Sequence, residues 1–240
     1  MIPTGNHSDI VIGVDGTPPS WDALYWAVRE AHRRRCRMRM VFVDTADVPD
    51  VALAGRRLAH MVADARRLEP SVRVSGVVAE GDAASALASA VSDAAILVVG
   101  DEGEPGRTHL GRAGRAVADA SAVPVVVVRG NMAAEHSPVV VDGSESALEL
   151  AFEEAGLRGC PLIAISSAGA TLDESLAPWR DKFPRVPVRT TTFEAEATPA
   201  LLALSRQAQL LVLGHGDDDL LGPVPSTVLD RSHCPVLISA

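Results

Sequence analysis

Aromatic residues make up only 3% of this 240-residue chain, while hydrophobic residues make up 47%. Its core is therefore drawn from Val, Ala, Leu and Ile, the palette of a parallel sheet buried under helices. Cysteine is scarce as well. Cys36, Cys160 and Cys234 lie far apart and form no CxxC pair, so they read as buried thiols in a reducing cytoplasm. No apolar run reaches the length of a membrane span, and Met1 to Ser8 lacks the charged-then-apolar pattern of a leader. The expectation is a cytoplasmic protein with no membrane partner. Cations are outnumbered, with 22 Lys and Arg against 31 Asp and Glu and a net charge of −9, which argues against a nucleic-acid partner. The one basic cluster, Arg33, Arg34, Arg35, Arg37 and Arg39, has no aromatic residues interleaved and suits the C-terminus of a helix.

What is present is an alternation. Asp9 to Val14 reads as a buried strand entering a turn at Asp15-Gly16. Thr17 followed by Pro18 reads as an N-cap and first helical position. Trp21, Leu24, Tyr25 and Val28 then mark one face of a helix to about Arg35. Strands follow at 38–43 and 72–78, separated by a helix over 51–68 whose face carries Leu53, Leu58, Met61, Val62 and Ala65. Asp82 caps a further helix to about Ser92. Ala95 to Val128 then supplies an apolar run ending in Gly100, a glycine-studded loop, a small-residue helix and a second apolar run opened by Pro124. Five strands alternating with helices predict a parallel sheet covered on both faces.

After a short polar stretch, Gly130 to His136, the series begins again. Pro138 to Val141 reaches Asp142-Gly143-Ser144, matching Val14 to Thr17 at an offset of 127. Leu210 to Ile238 repeats the strand, loop, helix and strand, with Gly214 matching Gly100 at 114. A falling offset means deletions in the second copy. The reading is an internal duplication of one five-stranded α/β unit, with domains at 1–133 and 134–240 and the second shortened.

With Val-Asp-Gly-Thr after the first strand and a glycine loop after the fourth, twice over, the sequence resembles the universal stress protein family in its tandem form. VIGVDGTPPSWDALYWAVREA, LVVG followed by RAVADASAVPVVVV, VVVDGSESALELAFEEA and LLVLG followed by VLDRSHCPVLIS carry the resemblance. It implies two tandem five-stranded domains of Rossmann-like, adenine nucleotide alpha hydrolase-like fold. It also implies a stress-response regulatory module, with ATP or another adenine nucleotide as ligand where the motif Gly, two residues, Gly, nine residues, Gly, Ser or Thr is kept. Domains of this type pair through their last strands. Val125 to Val128 and Val236 to Ile238 are therefore expected to pair within one chain as a pseudo-dimer, with a homodimer as a further arrangement.

The chemistry of that motif is specific. The carboxylate after the first strand accepts hydrogen bonds from the base or ribose. Glycines admit backbone amides to the phosphates, and the helix N-terminus beyond favours negative charge. In the first half Gly13, Asp15, Gly100 and Gly103 are in place. The third glycine is Gly111, with only seven residues between it and Gly103, and Arg112 stands where the hydroxyl residue belongs. Arg112 either pairs with a phosphate or fills the pocket with its bulk, and Glu102 and Glu104 add negative charge. The second half is further degraded. Val140 replaces the glycine two before Asp142, Asp217 stands at the second glycine, and Pro223 follows Gly222, removing a donor.

His215 with Asp217 to Asp219 reads as a solvated acidic loop rather than a cation site. No GxxxxGK[ST], HExxH or GxSxG occurs, and Asp-Gly-Ser at 142–144 reads as a turn with a helix N-cap. No nucleophile, base and orienter assemble, so no enzyme is expected. The reading is a binding module with an adenine nucleotide in the N-terminal half only, signalling to a protein partner of unknown identity. The alternative is an interaction scaffold in which both sites have decayed.

Overall fold

The computed structural model describes residues 9–240 apart from 45–49, 92, 102–115, 120, 133–135, 168–171, 194–196 and 217–220. It divides into two compact units, with the described residues up to Val128 in the first and those from Arg129 in the second.

In the first unit the strands are β1 (Asp9–Val14), β2 (Met38–Asp44), β3 (Val74–Glu80), β4 (Ala94–Gly100) and β5 (Val125–Val128), and the helices are α1 (Pro18–Arg34), α2 (Val51–Leu68) and α3 (Ala83–Ala90). A further helical turn lies at 116–119. The strands are all parallel in the order β3-β2-β1-β4-β5. Helix α1 packs over β1 and β4, and α2 and α3 pack over β2 and β3. Ile10, Ile12, Met38, Met40, Ile96 and Leu97 are fully buried, as expected for strands covered on both faces.

The second unit repeats this with β6 (Val139–Val141), β7 (Leu162–Ser167), β8 (Val188–Phe193), β9 (Leu210–Leu213) and β10 (Val236–Ile238). Its helices are α4 (Glu145–Arg158), α5 (Asp173–Lys182), α6 (Ala197–Ser205) and α7 (Pro223–Arg231). The order is β10-β9-β6-β7-β8, again parallel. The two sheets are the same sheet built twice.

The helix starts correct the sequence reading at two places. Thr17 and Ser144 make no side-chain cap bonds to their helices; their hydroxyls donate instead to Asp15 and Asp142. Asp82 does cap α3, accepting the Ser85 N–H at 2.9 Å, and that bond holds its carboxyl below the usual range. Two residues assigned to helix faces, Tyr25 and Leu53, are exposed at 42% and 38%. The basic cluster is engaged locally. Arg33 and Arg34 pair with buried Glu30, Arg37 pairs with Asp9, and Arg39 pairs with Asp93. The polar stretch after Gly130 is anchored where it begins, since Asn131 N–H donates to His233 O at 2.8 Å. Cys160 and Cys234 are buried and Cys36 is half-buried. Burial pushes the Cys234 thiol up to about 12.

The register between the two copies differs in one respect. Beyond a register shift at Asp9, Ile10 lies opposite Met38 and Ile96, and Val139 lies opposite Leu162 and Leu210. Asp15 stands five positions beyond Ile10, but Asp142 stands only three beyond Val139. The two missing residues lower Asp142 into its sheet by about 6–7 Å at the strand rise per residue.

Candidate functional site at the strand switch point

In each unit the chain lays strands outward to one side of the first strand, then crosses to its other side. Open α/β sheets bind ligands at the carboxyl ends of the strands where the order reverses. In the first unit that place lies between the ends of β1 and β4, where Asp15 and Gly100 stand. In the second it lies between β6 and β9, where Asp142 and Gly214 stand.

Asp15 has left the sheet, so its N–H has no ladder partner and donates to Ser20 Oγ at 3.0 Å. Its Oδ1 accepts from Thr17 N–H at 2.9 Å, from the Thr17 hydroxyl at 2.6 Å and from the Ser20 hydroxyl. Among the described residues no donor reaches Oδ2. A carboxylate with one saturated oxygen and one open oxygen offers an acceptor to a ligand hydroxyl or amino group.

Asp142 is still in its sheet, and its N–H donates to Val212 O at 3.2 Å. Oδ1 accepts from Ser144 N–H at 3.0 Å and from the Ser144 hydroxyl at 2.6 Å. Oδ2 accepts the Gly214 N–H at 3.0 Å, across the switch point. Around this bond, His215 N–H donates to Ser239 Oγ at 3.3 Å and the Ser239 hydroxyl to Ser146 Oγ at 3.4 Å. Gly222 N–H closes back onto His215 O at 3.3 Å. The second switch point is filled by the protein's own donors and acceptors. The two-residue deletion is the reason, because it brings the Asp142 carboxylate level with the end of β9.

The remaining sequence-derived site residues divide into two groups. Gly13 and Gly100 border the first switch point but are explained by packing. A Cβ on Gly13 would stand 2.7 Å from Leu87 Cδ1 of α3, and one on Gly100 would collide with the Pro19 carbonyl of α1. Gly103, Gly111 and Arg112 lie outside the described residues, as do Asp217 to Asp219. Among the described residues no group of three or more His, Cys, Asp or Glu is placed to hold a metal ion, and no helix is long and apolar enough to cross a membrane. Ser20 was not singled out from the sequence. A hydroxyl residue in the first turn of the helix after Asp15, buried at 4% exposure, is the signal that would have found it.

The universal stress protein family model matches residues 7–129. A universal stress protein of Mycolicibacterium smegmatis is 29% identical over 99% of this chain and 99% of its own length. One from Mycobacterium tuberculosis is 28% identical over 96% of this chain and 94% of its own. The crystal structure of a universal stress protein from Archaeoglobus fulgidus superposes with a TM-score of 0.75 at 18% identity, covering 98% of each chain, which shows the same fold. With a matched first half, full-length relatives of tandem size and this twice-built α/β sheet, the chain belongs to the universal stress protein family.

Proposed function

We propose that this protein is a cytoplasmic stress-response regulatory module, with domains at 1–133 and 134–240, that binds an adenine nucleotide in its first domain alone. The observation that carries the reading is the contrast between the two turn carboxylates: Asp15 keeps Oδ2 open at the switch point, whereas Asp142 spends Oδ2 on Gly214. Asp15 takes the base or ribose side. The phosphate side falls to the loop of Gly103, Gly111 and Arg112. Turnover is not part of the proposal, in which Asp15 serves as a hydrogen-bond acceptor. Occupancy would act by altering what a protein partner meets.

Titration of the full chain with AMP, ADP and ATP in the presence of Mg²⁺ tests this, with product analysis for hydrolysis. Binding without hydrolysis supports the reading, and no binding of any of the three removes it. One observation favours a second reading, the scaffold with no ligand. Gly100 is required by the Pro19 backbone, and Gly13 is favoured by its contact with Leu87, whether or not a nucleotide binds.

A further inference from the structure

The open oxygen of Asp15 depends on a residue in the next helix. Ser20 occupies the third position of α1 and is 4% exposed. Its one hydroxyl performs two tasks, accepting the Asp15 N–H at 3.0 Å and donating its own hydrogen to Asp15 Oδ1. With the two Thr17 donors, Oδ1 then carries three hydrogen bonds, which fixes the carboxylate about its terminal torsion. Oδ2 is the acceptor left over.

The second unit supplies the control within the same chain. Its Asp-Gly turn is built with the same two donors, here from Ser144. The third position of α4 is Ala147, fully buried. No side-chain hydroxyl stands at that position to add a third bond to Oδ1, and the Asp142 N–H, bonded to Val212 O, needs no side-chain acceptor. The carboxylate reaches across to Gly214 instead. The second unit lacks both the serine and the two residues ahead of its aspartate, and the turn that keeps an oxygen free is the one that carries the serine.

We infer that Ser20 is a positioning residue of the first domain, holding Asp15 by Oδ1 so that Oδ2 is presented to the nucleotide. This rests on the proposed role of Asp15 as a ligand residue. An acceptor already held in place loses little freedom on binding, so removing the hold weakens affinity without removing any ligand contact.

The experiment is a double-mutant cycle on the full chain, with AMP affinity measured by calorimetric titration for wild type, Ser20→Ala, Asp15→Asn and the double variant. Ala147 shows that an alanine packs at this position of the helix, and denaturant unfolding of each variant without nucleotide checks that losing the acceptor of the Asp15 N–H leaves the fold intact. Ser20→Ala is expected to weaken AMP binding about tenfold, and to have no further effect in the Asp15→Asn background, where the oxygen it positions is already gone. A merely structural role would lower affinity equally in both backgrounds and would overturn the inference. So would a Ser20→Ala affinity within twofold of wild type. If wild type binds no adenine nucleotide, the proposed function falls and this role falls with it; if wild type binds and the cycle is additive, only the role of Ser20 falls.

Discussion

The carboxylate of Asp142 accepts the backbone N–H of Gly214 at 3.0 Å across the end of the second sheet. The bond joins the first strand of that unit to its fourth at the position where the fold would otherwise admit a ligand. It makes Asp142 a residue of structure.

Asp142→Ala removes the acceptor of three donors, Ser144 N–H, the Ser144 hydroxyl and Gly214 N–H. Hydrogen bonds to a charged group contribute roughly 1.5–3 kcal/mol each, and water recovers part of that at a half-buried site. The variant is expected to lose about 2 kcal/mol of stability in chemical denaturation, and to lose hydrogen-exchange protection at the Gly214 amide. Unchanged protection at that amide would contradict the assignment.

Gly100→Ala and Gly13→Ala separate packing from ligand contact. The first drives a methyl group into the Pro19 carbonyl, which is backbone and cannot turn aside; the second meets only the end of the Leu87 side chain. Gly100→Ala should cost on the order of 2–3 kcal/mol and Gly13→Ala about 1 kcal/mol, both measured by denaturant unfolding without nucleotide. Equal and negligible costs would show that neither glycine is held by packing.

Arg35 ends α1 in the left-handed conformation, with φ of 54°, where α4 ends with Gly159 at 62°. A left-handed arginine costs roughly 1 kcal/mol relative to glycine. Arg35→Gly is therefore expected to raise stability by about 0.5–1 kcal/mol, and a lowered melting temperature would contradict this.

Acid should weaken the protein in two steps. The loss of some hydration, then Arg206 and Arg129, push the exposed His233 below the ordinary imidazole value. A lowered folded-state value means that the unfolded chain binds the proton first. The associated stability is present above about pH 6.5 and is lost as pH falls below it. The carboxyls of Glu69, Asp82 and Asp93 are likewise held low, chiefly by Ser71, by the Ser85 N–H and by Arg39 respectively. Their contribution is present above about pH 4 and lost below it. His233→Gln should flatten the stability profile between pH 7 and 5, and Asp93→Asn should reduce the loss below pH 4. A His233→Gln profile that still falls between pH 7 and 5 would contradict the first assignment.

The sheet was legible in the sequence because its signal is simple. Val125 to Val128 and Leu210 to Leu213 are continuous apolar runs, and both are fully buried. The duplication was legible for the same reason. Positions that depend on one hydrogen bond were harder. Thr17 and Ser144 look like N-caps, yet each hydroxyl has a nearer carboxylate two residues back. Tyr25 shares its helix with buried Leu24 and Val28 but faces outward, because apolar type does not settle facing at the margin of a stripe. The motif match of Asp15 with Asp142 was sound as sequence and incomplete as structure. Both turns read Asp-Gly-hydroxyl, while the two residues missing ahead of Asp142 decide which groups its carboxylate can reach. Gly100 reads as the start of a phosphate loop and Gly13 as the glycine ahead of Asp15, and the structure accounts for both through contacts with α1 and α3.

The central claim is that one acceptor, Asp15 Oδ2, remains open for a ligand while its counterpart on Asp142 does not. The most direct test is thermal unfolding of wild type, Asp15→Asn and Asp142→Asn with and without AMP, ADP and ATP in Mg²⁺. Asparagine keeps Oδ1 for Thr17 and Ser20 and turns the second oxygen into a donor, so it probes the acceptor without dismantling the turn. A nucleotide at one hundred times its dissociation constant stabilises the native state by about 2.7 kcal/mol. The account predicts that shift in wild type and in Asp142→Asn, and its loss in Asp15→Asn. A shift that survives Asp15→Asn, one that disappears in Asp142→Asn, or none in wild type would contradict it.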